Sequence, residues 1–312
     1  MSTASIRPMA LYAIAPTQFT PEGHSVDTAA MAANMERLAA TGITRVLLTG
    51  AYGEFTALRD HERLTILDAV RGTGVCESIM ACAASTSTEA TATLATAMLE
   101  GGADTAMVAP PLACETTERD VLRHFTQLGD AVGGRLVIYN NPVFGHDLAP
   151  ALLAEVLAGE AYAGVKQGTG DAARLLGSID AIRGCGHDLE VLIASDLSAA
   201  MTLTAPVDGL TSTNCWVFPE ATLALVAAAG RGDVAAMQAV QLALAPYRRA
   251  LAGIGQPAAV KAAMQLRGYA GSAAVRGPYA ACSREQTASL REALAASDNA
   301  LGSVIDRMEV NA

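Results

Sequence analysis

Short apolar runs alternate with longer amphipathic stretches along most of this 312-residue chain. Continuous apolar runs are typical of strands that are buried on both faces of a parallel sheet. They predict eight strands, at Leu11–Ala15, Arg45–Leu48, Ser78–Cys82, Thr105–Ala109, Arg135–Asn140, Ala161–Lys166, Glu190–Ala194 and Gly209–Thr213. The intervening stretches predict helices at Asp27–Ala40, Arg59–Arg71, Thr88–Glu100, Glu118–Val132, Ala149–Ala158, Ala172–Arg183, Leu197–Ala205 and Pro219–Ala229.

Capping signals support two of these helices. Thr86 and Glu89 have the spacing of a capping box, and Gly101-Gly102 is a plausible stop for the same helix. Thr117 and Asp120 repeat the start signal before the next helix.

Eight strand–helix units in strict alternation predict a closed (β/α)8 TIM barrel. We assign residues 1–230 to a barrel catalytic domain and residues 231–312 to a C-terminal helical extension. The alternative is a doubly wound open sheet, but Ala15-Pro16-Thr17 stands where that fold has a glycine-rich turn. The extension contains three predicted helices, at Asp233–Leu251, Pro257–Arg267 and Arg284–Ala295.

The candidate chemistry lies at the carboxyl ends of the predicted strands, where TIM barrels place their active sites. Lysine occurs twice, against nineteen arginines, and Lys166 closes the sixth strand. A partly desolvated lysine can lose its proton and form a Schiff base, which arginine cannot do. The simpler alternative is a lysine that reaches out of a strand end into solvent.

Tyr139 ends the preceding strand, so its phenol can share a pocket with Lys166 and serve as an acid or base. Alternatively, it hydrogen-bonds to a loop. The Gly50–Glu54 turn offers amides that could bind a carboxylate, or is simply a tight turn. Asp196 could orient a substrate hydroxyl, and it could also be a helix N-cap.

Composition excludes several other functions. The net charge of −10 disfavours nucleic acid or an anionic membrane as a partner. No apolar run reaches membrane-spanning length, and the first residues lack the order of a secretory signal, so we expect a soluble cytoplasmic protein. The cysteines and histidines show no metal-ligand spacing, so we expect no metal site and reduced cysteines.

Several ordered motifs resemble the dihydrodipicolinate synthase / N-acetylneuraminate lyase family of class I Schiff-base aldolases. The resemblance runs over nearly the whole chain. It is carried by Ala15-Pro16-Thr17-Gln18-Phe19, Gly50-Ala51-Tyr52-Gly53-Glu54, Tyr139-Asn140-Asn141-Pro142, Gly164-Val165-Lys166, Thr169-Gly170-Asp171, Pro257, Val260-Lys261-Ala262-Ala263 and Arg276-Gly277-Pro278.

The resemblance implies a 2-oxo acid, usually pyruvate, held as an imine on Lys166, with an aldehyde as the second substrate. Tyr139 would be the acid/base, and the oxo acid's carboxylate would lie against the Ala51 and Tyr52 amides. It also implies a homotetramer, built as a dimer of dimers, without a metal or organic cofactor. The expected substrate-binding residues are Thr17, Ala51, Tyr52, Leu112, Phe144, Asp196 and Ser212.

The chain also departs from the family's pattern. Ala51 and Tyr52 replace small hydroxyl residues, and Leu112 stands near the position of a tyrosine that the neighbouring subunit contributes to a proton relay. The arginine that the synthases place after Tyr-Asn-x-Pro is missing, with Phe144 near its position, and Leu197 replaces an acidic residue of the sialic acid lyases. We therefore expect neither of these two activities, and a more apolar aldehyde.

The leading hypothesis is a pyruvate-dependent carbon–carbon lyase that is not an authentic dihydrodipicolinate synthase. One alternative keeps the imine but acts as a dehydratase or hydratase–aldolase on a deoxy sugar acid or an arylidene pyruvate. Another is a non-catalytic homologue that binds an oxo acid. The missing hydroxyl at Ala51 favours the last reading slightly, whereas Lys166 and Tyr139 oppose it.

Overall fold

A computed structural model of the protein describes residues 8–113, 115–142 and 146–310, with side chains described as far as residue 304. Among these residues, eight parallel strands close into a barrel in sequence order. The predicted (β/α)8 barrel is thus confirmed. The strands are β1 (Ala10–Ile14), β2 (Arg45–Leu48), β3 (Ser78–Cys82), β4 (Thr105–Val108), β5 (Leu136–Asn140), β6 (Tyr162–Gln167), β7 (Glu190–Ile193) and β8 (Gly209–Ser212).

A helix follows each strand, and four more helices form the C-terminal extension. The barrel helices are α1 (Thr28–Ala39), α2 (Asp60–Gly72), α3 (Thr88–Glu100), α4 (Glu118–Val132), α5 (Pro150–Leu157), α6 (Ala172–Gly184), α7 (Ala199–Thr202) and α8 (Pro219–Gly230). The extension comprises α9 (Val234–Ala243), α10 (Ala245–Ile254), α11 (Gln256–Leu266) and α12 (Arg284–Val310). In the part of the chain that is described, no helix is both long and apolar enough to cross a membrane.

Alternation along each strand divides the apolar side chains between two layers. On β5, Leu136 and Ile138 pack outward against the helices, whereas Val137 and Tyr139 pack inside the barrel. On β6, Val165 faces the outer layer. The next residue, Lys166, consequently faces the interior, at the carboxyl end of the barrel.

Gly164 allows β6 and β7 to approach closely beside this lysine. It is paired with Glu190 across the two strands. A Cβ atom at position 164 would lie 2.4 Å from the Glu190 carbonyl oxygen, which is far inside van der Waals contact. Any larger residue would therefore push β6 away from β7 and displace Lys166, two residues further along the strand.

The capping predictions are half right. Thr117 and Asp120 form the predicted capping box of α4, with the Thr117 amide donating to Asp120 at 2.9 Å. For α3 the N-cap is Ser87 rather than Thr86, because the Ser87 hydroxyl accepts from the Ala90 amide at 3.1 Å. This helix ends at Glu100, with Gly101 as its C-cap, as predicted.

Three helix boundaries also differ from the prediction. The expected Asp233–Leu251 helix is divided into α9 and α10, because Pro246 lacks an amide hydrogen and is tolerated only in a first turn. The α7 helix has four residues instead of spanning Leu197–Ala205. By contrast, α12 extends to Val310, and Leu301 and Val304 are buried along its added turns. The division into domains at residue 230 stays a prediction.

Candidate active site

Lys166 lies at the centre of the barrel's carboxyl end. Its partner across β5 and β6 is Tyr139, and its Nζ atom lies 3.6 Å from the centre of the Tyr139 ring. Only 2 % of the Lys166 residue is exposed. Burial lowers the pKa of Lys166 to about 7, although Cys82 and Asp196 act in the opposite direction. An amine with this pKa is substantially neutral at physiological pH, as a nucleophile must be.

The Tyr139 phenol is held by its neighbour in the Tyr-Asn-Asn-Pro motif. The Asn141 side-chain amide donates to the Tyr139 hydroxyl oxygen at 2.6 Å. Burial raises the pKa of Tyr139 to about 12, and the bond from Asn141 lowers it. The phenol therefore stays protonated as a donor, and the amide stabilises the phenolate once a proton has left. Sequence reasoning missed Asn141, although it lies within the recognised motif.

The turn after β2 is a single 3₁₀ turn, Ala51–Gly53. Ala51 and Tyr52 are its first residues, so their amides have no acceptor within it and remain available for an anion. Thr17 supports the turn from β1, since its hydroxyl donates to the Gly53 carbonyl at 2.7 Å. Thr17 thus contributes to the site through the turn.

The second lysine has a different role. Lys261 on α11 forms a buried ion pair with Glu54 and also donates to the Ala274 carbonyl at 2.9 Å. The other Glu54 carboxylate oxygen accepts from the Arg276 amide at 2.8 Å. Neither side chain of the ion pair has any exposed surface. This pair ties the Gly50–Glu54 turn to the C-terminal extension, and it could not be inferred from two residues so far apart in sequence.

Asp196 is not the N-cap of α7, so that interpretation is wrong. The N-cap position is Ser198, and the Asp196 carboxylate instead accepts from the hydroxyls of Ser212 at 2.5 Å and Thr213 at 3.1 Å. Arg248 on α10 completes this network with a buried ion pair to Asp196 at 3.2 Å. Sequence reasoning missed Arg248 because no local signal marks a contact made from the extension.

Two of the predicted substrate contacts pack near Tyr139. Tyr52 and Leu112 are both partly buried and pack against the inner cluster that contains Tyr139. Phe144, the remaining predicted substrate contact, lies outside the described residues. Within the ranges that are described, no group of three His, Cys, Asp or Glu side chains could hold a metal ion.

Comparison with known proteins identifies the family. The model of the dihydrodipicolinate synthetase family matches residues 9–297, nearly the whole chain. The chain belongs to this family. Membership makes the protein a carbon–carbon lyase of the class I aldolase type, acting through a Schiff base.

Curated relatives in the dihydrodipicolinate synthetase family are similar over most of their length. The 4-hydroxy-tetrahydrodipicolinate synthase of Haloarcula marismortui is 29 % identical over 280 residues, covering 89 % of this chain and 90 % of the relative. The enzyme of the same name from Acidiphilium cryptum is 30 % identical over 275 residues, covering 88 % and 93 %.

Solved structures show the same fold. YagE, a prophage protein of the dihydrodipicolinic acid synthase family from E. coli K12, was solved in complex with pyruvate. It is 26 % identical with a TM-score of 0.84, covering 92 % of this chain and 98 % of that one. The 4-hydroxy-tetrahydrodipicolinate synthase of Methylacidiphilum fumariolicum SolV superposes with a TM-score of 0.87 at 21 % identity, covering 96 % and 98 %.

Proposed function

We propose that the protein is a pyruvate-dependent aldolase that forms or cleaves a carbon–carbon bond next to an imine on Lys166. The observation that carries this proposal is the buried Lys166 amine, whose pKa of about 7 leaves it reactive beside the Tyr139 ring. The similarity to YagE, solved with pyruvate, supports the choice of oxo acid.

In the proposed reaction, the neutral Lys166 amine attacks C2 of pyruvate, and Tyr139 donates the proton with which the carbinolamine hydroxyl leaves as water. The imine then withdraws electrons from C3, which loses a proton to the Tyr139 phenolate, giving an enamine and restoring the phenol. The enamine carbon attacks the aldehyde, and water finally hydrolyses the product imine. The Ala51 and Tyr52 amides bind the carboxylate throughout, which fixes C2 in front of the amine.

We further propose that the aldehyde is neutral or aromatic. Leu112 and Tyr52 extend the apolar inner cluster toward the pocket, and burying a second carboxylate there without a partner would be costly. Arg174 and Arg276 do not compensate, since they pair with Asp147 and Glu62. The product is therefore not dihydrodipicolinate, despite the names of the curated relatives.

An arylidene pyruvate hydratase–aldolase is the second candidate, because the same apolar wall suits an aromatic substrate. The deoxy sugar acid alternative is weaker. Both Asp196 oxygens already accept hydrogen bonds, from Ser212 on one side and from Thr213 and Arg248 on the other. A sugar hydroxyl would find only the second lone pair of the oxygen that accepts from Ser212, so Asp196 has little capacity left for a polyhydroxylated substrate. Lys166 and Tyr139 together oppose the non-catalytic homologue.

We also propose a cytoplasmic homotetramer arranged as a dimer of dimers. Leu197, Met201 and Leu242 are more than half exposed, which supports burial of this surface between subunits. The fold alone does not decide the assembly, because a monomeric dihydrodipicolinate synthase variant superposes with a TM-score of 0.86.

Borohydride trapping tests the central proposal. Incubation with pyruvate and borohydride should add a reduced three-carbon acid to the peptide that contains Lys166, because only an imine is reduced to a stable adduct. Lys166→Arg should remove the adduct and the activity, since a guanidinium cannot form an imine. Label on Lys261 alone, or full activity in Lys166→Arg, would disprove the assignment.

A further inference from the structure

The hydroxyl groups around the pocket are mostly committed to protein acceptors. The Thr17 hydroxyl donates to the Gly53 carbonyl, and the Ser212 and Thr213 hydroxyls donate to Asp196. Ala51 and Leu112, at positions where the family resemblance implies hydroxyl groups, have none. A proton relay through these five positions is therefore absent.

Tyr52 has a hydroxyl that remains available. Across residues 8–113, 115–142 and 146–304, its phenol makes no hydrogen bond to another side chain or to the backbone. Its ring packs against the same inner cluster as Tyr139 and Leu112. The Tyr52 side chain therefore extends from the Ala51–Gly53 turn and contacts the inner apolar cluster.

The electrostatic surroundings of Tyr52 agree with this position. The pKa of Tyr52 is raised to about 12, mainly by burial and to a smaller extent by Tyr139, Asp196 and Tyr279, while Arg248 acts in the opposite direction. The Tyr52 phenol therefore lies close enough to Tyr139 and to the Asp196–Arg248 ion pair to interact with them electrostatically. Between about pH 7 and pH 12 the Tyr52 phenol is protonated while the Lys166 amine is neutral, so Tyr52 can donate a proton but does not compete as a nucleophile.

We propose that Tyr52 is a second catalytic acid, which protonates the aldehyde oxygen when the new carbon–carbon bond forms. The inference rests on the proposed aldolase function. In this step the enamine double-bond pair becomes the carbon–carbon bond, and the carbonyl π pair moves to oxygen, which takes the Tyr52 proton. The Tyr52 phenolate regains a proton from water. Cleavage runs the same transfers backward.

In this proposal the Tyr139 and Tyr52 phenols act in different steps of the reaction. The Tyr139 ring lies against the Lys166 amine and its hydroxyl is held by Asn141, which places Tyr139 for the carbinolamine and its water. Tyr52 is partly buried against the same cluster, and its hydroxyl is left for the aldehyde oxygen. This separation explains how the reaction proceeds although Ala51 lacks a hydroxyl.

The two roles can be measured separately. Exchange of the pyruvate methyl hydrogens in D₂O, followed by proton NMR, needs the imine and the enamine but no carbon–carbon step. Tyr52→Phe should leave this exchange within about twofold of the parent and slow cleavage of 4-hydroxy-2-oxo-4-phenylbutanoate by roughly 10²-fold or more. Tyr12→Phe is the matched control, since its hydroxyl lies 3.3 Å from Ser78, at the amino ends of the strands. It should change neither rate.

An equal fall of exchange and cleavage in Tyr52→Phe would overturn the proposal, because Tyr52 would then act on the imine or on the fold. Unchanged cleavage would overturn it as well. So would a parent enzyme that exchanges pyruvate hydrogens but cleaves no such substrate. Failure of the underlying aldolase function has a different signature, which is the absence of a borohydride adduct on Lys166 in the parent, and the Tyr52 role falls with it.

Discussion

The two lysines show how local surroundings decide the chemistry of one residue type. Burial lowers the pKa of both, to about 7 for Lys166 and about 8 for Lys261. Lys261 donates to Glu54, which holds its proton in place, whereas Lys166 faces the ring of Tyr139. A lysine that is buried without a carboxylate partner gains reactivity from the same desolvation that a structural ion pair has to offset.

The lowered pKa of Lys166 predicts how the rate of imine formation depends on pH. Below about pH 7 the Lys166 amine is protonated and cannot attack, so the rate of imine trapping with pyruvate should rise through a midpoint near pH 7 and then level off. Cyanoborohydride trapping between about pH 5.5 and 9 measures it. A rate still rising steeply above about pH 9 would mean that Lys166 has the pKa of an exposed lysine.

Tyr139 gives a second prediction at this scale. Tyr139→Phe removes the proton donor but keeps the ring beside Lys166, so turnover should fall roughly 10²–10⁴-fold while an imine can still be trapped more slowly. Stopped-flow trapping and steady-state turnover should be compared in the same variant. If the variant turned over as fast as the parent enzyme, a group other than Tyr139 would have to be the acid/base.

At the scale of elements, the strands were predictable because burial on both faces leaves a continuous apolar run, and all eight were placed to within one residue at each end. Helix ends were less accessible. Whether Thr86 or Ser87 is the N-cap of α3 depends on which hydroxyl lies next to a free backbone amide. The shortness of α7 depends on Asp196, whose carboxylate bonds to Ser212 on β8 instead of to its own helix. Such choices are settled by tertiary contacts.

The Glu54–Lys261 pair is the element-scale contact with the largest expected effect. Glu54→Gln would leave the Lys261 charge buried without its partner, which typically costs about 3–5 kcal/mol, so the unfolding temperature should drop clearly. The double variant Glu54→Gln/Lys261→Met should recover part of this loss, because no unpaired charge remains. Calorimetry on all three proteins tests the point. A single variant as stable as the parent would show that the pair does not anchor the turn.

At the scale of the whole molecule, the extension completes a site whose chemistry lies on the barrel. Lys166 and Tyr139 could be placed from sequence, because strand alternation and strand ends are local properties. The Arg248–Asp196 contact spans 52 positions of the sequence and the Lys261–Glu54 contact spans 207. Contacts over such separations leave no periodic pattern in the sequence that could predict them. Sequence therefore locates the candidate reacting groups, whereas the packing of α10 and α11 determines how the residues around them are held.

The ion-paired and apolar side chains around the site predict which aldehydes the enzyme prefers. Arg174, Arg248 and Arg276 are each bound to a carboxylate of the protein, and Leu112 adds apolar surface, so none of these three described arginines is free for a second substrate carboxylate. Benzaldehyde should therefore be preferred over aspartate semialdehyde by at least about fivefold in kcat/KM, since one unpaired polar group costs upwards of about 1 kcal/mol. Steady-state rates with pyruvate as cosubstrate provide the comparison. Efficient use of aspartate semialdehyde would mean that one of these arginines leaves its partner when the substrate binds.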